Sequence, residues 1–280
     1  MFEGMTNLAD SAREGQENGP AGGRATSAGV NATLRLLDLL AHRGPLQLSE
    51  IARELGVAKS TIHRIAAVLL ERAWVIRDSE GRYDLGIRAL RLGSAAGQLP
   101  IVTAFRSVAA KFLAEHDETV ALAVIDGGES LYIAMEETSQ PVRYVTHVGS
   151  KTPAFASASG RVVLATYPPA IVESLWAGQP LVTPTGRRLN GITELQQILA
   201  EVRVQGYAEN DGETAQGLYA ASVPIINDAH TALAAFTTLI PLSRVSEPER
   251  RQAILASLQE RGRQLSDLVS WLPSYSARRP

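Results

Sequence analysis

Apolar positions along the chain change their spacing several times, and each change marks an element. From Val30 they recur at helical spacing, at Leu34, Leu37, Leu40 and Ala41, and Gly44-Pro45 ends the run. Leu48, Ile51, Ala52 and Leu55 form the inward face of a second, short helix. Ser49 near its start and Glu50 in its first turn are residues that helix capping prefers, and Gly56 breaks it. A third helix is predicted over Ala58 to Arg72, with Ile62, Ile65, Ala66, Leu69 and Leu70 as its apolar stripe. Val75-Ile76-Arg77 and Arg82-Tyr83-Asp84-Leu85 then read as short strands. They are joined by Asp78-Ser79-Glu80-Gly81, whose polar residues and glycine suit a hairpin turn. Ile87, Leu90 and Leu92 suggest a helix leading out of this unit, its apolar face open to dimer contact or to intradomain core.

Gly93 to Gly97 is small and flexible in composition, and a domain boundary is placed near it. Beyond it, a helix runs through Val108, Phe112 and Leu113. Val120 to Ile125 and Leu131 to Met135 form a hairpin around Asp126-Gly127-Gly128, and Val142 to Val148 is predicted as another strand. Ser159 to Tyr167, Ala170 to Trp176 and Thr193 to Gln205 read as helices. Leu218 to Ile226 and Ala232 to Ile240 read as strands about a turn at Asn227-Asp228, and Glu249 to Trp271 closes the chain as a helix. Strands in hairpins with interspersed helices predict an α+β fold with a mainly antiparallel sheet. The expected organisation is an unstructured arm over 1–27, a DNA-binding unit over 28–86, a linker helix over 87–97, a second domain over 98–273 and a tail over 274–280. The glycine-rich arm is a spacer or a DNA-touching tail using Arg13 and Arg24.

Composition sharpens this picture in three ways. The 280 residues suffice for two domains, each with a core. Net charge is −2, yet Asn31 to Gly93 holds ten Lys and Arg against seven acids, a surplus of three that leaves the rest at −5. A mildly basic front on an acidic body fits phosphate binding by one part only. The chain has no cysteine, which excludes disulfides, thiolate metal sites and cysteine nucleophiles. The longest apolar-rich run, Ala232 to Leu242, is far short of the roughly 20 residues of a membrane span. A cytoplasmic protein without membrane partners is expected.

Helix, glycine-containing turn, helix over Leu48 to Arg72 is the helix-turn-helix pattern. In that unit the second helix lays its N-terminal residues in the major groove. Here those are Ala58, Lys59, Ser60, Thr61, His63 and Arg64. Ser60 and Thr61 carry hydroxyl donors, and Arg64 has the reach for bidentate contact with guanine. Lys59 is one of three lysines in the chain, and no acid appears on the helix before Glu71. The hairpin makes a wing, in which Arg77 or Arg82 is a candidate for gripping phosphate or the minor groove. A three-helix packing unit with a solvated polar face is the competing reading, and a module that no longer reads DNA is the alternative function.

Enzyme signatures are missing from the sequence. It holds no G-x-G-x-x-G, P-loop, H-E-x-x-H or G-x-S-x-G arrangement, and its five histidines have no ligand spacing. No catalytic residue, metal or cofactor is expected. The small residues Ser157-Ala158-Ser159-Gly160 before an apolar helix suit a carboxylate seat or ordinary N-capping.

Leu46 to Arg64 resembles the winged helix of the IclR family of bacterial regulators, and the match continues through Gly81-Arg82-Tyr83-Asp84-Leu85-Gly86. It resumes at His147 to Pro153, at Ala158-Ser159-Gly160-Arg161, and from Gly206-Tyr207-Ala208 to Gly217-Leu218-Tyr219. The resemblance implies a GAF-like effector domain that binds a small organic or aromatic acid and helps assemble a homodimer and tetramer on double-stranded operator DNA. It implies an effector site at Ala158, Ser159, Gly160, Asn210, Leu218, Ala220, Thr237 and Leu239. Several of these depart from the family. Ala220 stands for a frequent cysteine, Asn210 for a frequent acid, and Thr237 and Leu239 for serines. Fewer donors and more apolar lining favour a larger or aromatic ligand.

Overall fold

The computed structural model describes residues 21–273, which divide into two compact units at Gly93 and Ser94. In the first, α1 (Ala21–Arg43), α2 (Leu48–Leu55) and α3 (Lys59–Glu71) precede a two-stranded antiparallel wing, β1 (Val75–Arg77) and β2 (Tyr83–Leu85). Leu36, Leu40, Ile51, Leu55, Ile62, Ala66, Leu69, Val75 and Tyr83 bury together as its core. These are the apolar stripes of the three helices meeting one face of the wing.

Two local readings need correction. The N-cap of α2 is Gln47, not Ser49, and its backbone N–H donates to Glu50 Oε2 at 2.8 Å. Helix α1 starts at Ala21, inside the segment expected to be an unstructured arm. The helical backbone continues N-terminally of its first core residue, Leu36, by about four turns.

Helix α4 (Ile87–Ala96) follows and buries none of its residues. Ile87, Leu90 and Leu92 are 60%, 64% and 58% exposed.

The second unit is built on a six-stranded antiparallel sheet in the order β5-β4-β3-β8-β7-β6. Its strands are β3 (Thr119–Asp126), β4 (Glu129–Glu136), β5 (Lys151–Pro153), β6 (Ala208–Asp211), β7 (Leu218–Ile226) and β8 (Ala232–Pro241). Helices α5 (Pro100–His116) and α9 (Pro248–Val269) cover one face, where Phe105, Phe112, Val120, Leu122, Phe236, Leu258 and Leu265 pack. Helices α6 (Ala158–Leu164), α7 (Pro169–Leu175) and α8 (Ile192–Gln205) lie on the other. There the sheet presents Ala121, Ala123, Ala220 and Ala235 to Val162, Val163, Leu195 and Leu199. Such small side chains in mid-sheet bring α6 close to the strands.

The strand expected over Val142 to Val148 does not form. Val142, Val145 and Val148 are 68%, 83% and 55% exposed, and only Tyr144 and Thr146 between them are half-buried, so the valines that suggested a strand face solvent. Pairing with β4 falls instead to Lys151–Pro153, opposite Glu129–Leu131. Strand β6 is a further element that apolar patterning did not show, because its sequence is Ala-Glu-Asn-Asp.

Candidate functional site

In the first unit, Gly56 closes α2 in the left-handed region at φ 64°, a conformation glycine adopts without a Cβ penalty. Its N–H and that of Val57 return to Arg53 and Ala52 carbonyls, which sets the short turn into α3. Ala58 N-caps α3 without a side-chain bond, and no acid occupies the first turn. The positive end of the helix dipole is therefore uncompensated by side chains. Lys59, Ser60, His63 and Arg64 are all exposed, while Thr61 is half-buried. Neither Lys59 nor Arg64 pairs with an acid among the described residues. Arg77 and Arg82 both stand on the wing. Arg77 stacks over the Tyr83 ring at 5.5 Å, and Arg82 pairs with Asp78 and Glu80 at 2.9 and 3.3 Å.

In the second unit, strand register brings the expected effector residues onto one face. Asn210 opposes Ala220, and Ala220 opposes Leu239, so the three form a row across β6, β7 and β8. Thr237 sits two pairs along, opposite Ser222, and the two hydroxyls are 2.7 Å apart. Leu218 lies two residues from Ala220 on the same face. Ala158, Ser159 and Gly160 start α6 above that face, and all eight residues are buried. Gly160 is there because a Cβ would meet the Ala154 carbonyl oxygen at 2.1 Å. Ser157 is an ordinary N-cap whose Oγ accepts the Gly160 N–H at 3.0 Å.

Both ends of the Asn210 side-chain amide are bonded within the fold. Its Nδ2 donates to the Ala156 carbonyl, and its Oδ1 accepts the Glu213 N–H at 3.0 Å. A carboxylate at this position has no proton to offer Ala156, so the amide braces β6 against the entry to α6. An open depression of about 510 Å³ lies at the opposite end of α6, lined by Ala165–Pro169, Arg203 and His230; it includes none of the eight residues.

Comparison with known proteins agrees with this architecture. The family model for the IclR helix-turn-helix domain matches residues 31–79, and the model for the bacterial transcriptional regulator IclR C-terminal region matches residues 93–267. The chain belongs to the IclR family. It is 32% identical to the HTH-type transcriptional regulator KipR of Bacillus subtilis over 200 residues, covering 71% of this chain and 80% of that one. The IclR transcriptional regulator of Alicyclobacillus acidocaldarius superposes with a TM-score of 0.77 at 26% identity, over 86% of this chain and 98% of that one. An IclR homologue of Microbacterium hydrocarbonoxydans, solved with 4-hydroxybenzoate, shares the fold at a TM-score of 0.71 and 23% identity, over 87% and 98% of the two chains.

This IclR-family chain is therefore a transcription regulator with a helix-turn-helix domain and a C-terminal effector domain. The α6-side face of its sheet holds polar groups that sequence reading missed. Ser130 Oγ lies 2.7 Å from Ser159 Oγ, both buried. Tyr132, two residues along β4, is buried as well. Burial raises its phenol well above the usual tyrosine range, as does Tyr144, while a hydrogen bond with Ser159 acts the other way. The i, i+2 spacing of Ser130 and Tyr132 was the available signal for a shared face.

Arg161 and Glu213 are 52 residues apart, and nothing in the sequence joins them. Arg161 is 4% exposed, donates from Nε to the Phe155 carbonyl, and pairs with Glu213 at 2.5 Å. Glu213 also binds Arg187 at 2.6 Å, and Arg187 binds Glu194 at 3.0 Å. The chain of charges ties the 183–190 segment to α6 and α8.

Proposed function

We propose that the chain controls transcription by binding operator DNA through α3 as a homodimer or tetramer, and that an aromatic or similarly apolar organic acid on the α6 face of the effector domain regulates that binding. The reading rests first on the exposed Lys59, Ser60, His63 and Arg64 at an α3 start free of acids. A helix N-terminus with basic and hydroxyl side chains is complementary to phosphate and to base edges. Thr61 borders the same surface, and the wing adds backbone contact.

The chemistry of the effector face supports the ligand class. Asn210 is bonded to Ala156 and Glu213, and Thr237 to Ser222, so the fold already takes up part of the hydrogen-bonding capacity of both. Ala158, Leu218, Ala220 and Leu239 supply apolar surface. Ser159 and the nearby Tyr132 and Ser130 provide hydroxyls suited to a carboxylate or phenol. The homologue solved with 4-hydroxybenzoate is consistent with an aromatic acid in this fold. Dimerisation is assigned to the apolar surface of α4, because a winged helix of this kind reads one half-site and specific binding needs two.

A gel shift on the protein's own upstream region tests the reading. Binding that weakens steeply with added salt is expected, because phosphate contacts release counterions. Absence of binding at low salt, with and without aromatic acids, overturns it for that site.

A further inference from the structure

The two arginines of the wing differ in their surroundings. Arg82 Nε lies 2.9 Å from Asp78 Oδ2, and its terminal nitrogen lies 3.3 Å from Glu80 Oε2. The same Asp78 builds the turn, since its Oδ1 accepts the backbone N–H groups of Glu80 and Arg82 at 3.0 and 2.8 Å. The turn is itself anchored, because Gln47 Nε2 donates to the Glu80 carbonyl at 2.9 Å. Arg77 has no acid partner among the described residues. Its Nε donates to the Gly81 carbonyl at 3.3 Å, and its guanidinium lies over Tyr83. Tyr83 is 5% exposed and fixed by two backbone hydrogen bonds with Leu46. Arg77 is thus held in place while its charge stays uncompensated.

We infer that Arg77 is the wing's phosphate contact and that Asp78 and Glu80 withhold Arg82 from DNA, making Arg82 a positioning residue. To reach a phosphate, Arg82 must leave two carboxylates facing that same anion, and like charges in proximity oppose the contact. Two cations and two anions over Arg77 to Arg82 leave the wing tip neutral. Sequence-independent attraction through phosphate is correspondingly weak there, so discrimination falls to the base-reading face of α3. The inference rests on the DNA-binding reading above.

The test measures binding of a mixed-sequence duplex by fluorescence anisotropy across a salt series, with wild type, Arg77→Gln, Arg82→Gln and the double variant Asp78→Asn/Glu80→Gln. Asparagine keeps the Oδ1 acceptor that forms the turn, so the wing retains its shape. Each phosphate contact contributes about 0.9 to the slope of log affinity against log salt. The slope is expected to fall by about 0.9 per engaged wing in Arg77→Gln, to stay unchanged in Arg82→Gln, and to rise in the double variant as Arg82 is freed. A fall in Arg82→Gln equal to that in Arg77→Gln, no change in Arg77→Gln, or no rise in the double variant overturns the inference. Wild type without salt-dependent binding strikes the DNA-binding reading instead.

Discussion

Arg64 lies one turn along α3 from Ser60, exposed and without an acid partner among the described residues. A guanidinium presented this way keeps all its donors for a base edge. Arg64→Ala is expected to weaken operator binding by about 1–3 kcal/mol, read by gel-shift titration. Unchanged affinity would assign Arg64 to an ordinary solvated face. Asp117 works at the same scale on stability. Its carboxylate accepts the Ser139 hydroxyl and N–H first, then Gln140 and Thr138, which holds its pKa at about 2 against an ordinary 3.8. The ionised form is the one the fold prefers. Its contribution is complete above the ordinary value and is lost as pH falls from about 4 towards 2. Asp117→Asn should therefore differ from wild type in urea midpoint at neutral pH. The difference should shrink across that acidic window, and one that stays constant with pH would contradict the assignment.

At the scale of elements, the proposed effector face depends on how α6 is held. Gly160 permits its close approach to the Ala154 carbonyl, Asn210 ties β6 to the residues before it, and Arg161 ties it to Glu213. The side chains of Arg161 and Glu213 are 5% and 17% exposed, so the pair is buried on the arginine side and largely shielded on the other. Removing one partner of a buried pair leaves the other charge uncompensated. Glu213→Ala should cost about 3 kcal/mol or more in urea unfolding. Arg187 is 45% exposed, and Arg187→Ala should cost no more than about 1 kcal/mol, the range of surface pairs. Equal losses from both would show that burial does not govern the network.

For the whole molecule, function requires ligand binding in one unit to alter DNA binding by the other. Any ligand selective for the folded effector domain also stabilises it by mass action. An aromatic acid such as 4-hydroxybenzoate, at about a hundred times its Kd, should add roughly 2.7 kcal/mol and raise the Tm in a thermal-shift assay. Stabilisation by small hydrophilic acids alone would count against an apolar effector site. Adding the aromatic acid to the gel shift should then change the protein concentration at half-saturation.

Spacing and composition by themselves determined the helix-turn-helix, the wing hairpin, the major helices and the two long hairpins of the effector domain. They did so because a helix or strand that buries one face must repeat its apolar residues at its own period. The exposure of Lys59, Ser60, His63 and Arg64 was legible for the same reason, since they lie on the face the apolar stripe leaves over. Tertiary structure alone decided that Val142 to Val148 stays unpaired and that Ala208–Asp211 becomes an edge strand, because both depend on which backbone lies alongside. It also decided that Arg82 is neutralised while Arg77 is not, and that Asn210 braces α6. It joined Arg161 to Glu213 and Ser130 to Ser159, partners 52 and 29 residues apart. Periodicity records only which way a residue faces; what it meets there is set by the fold.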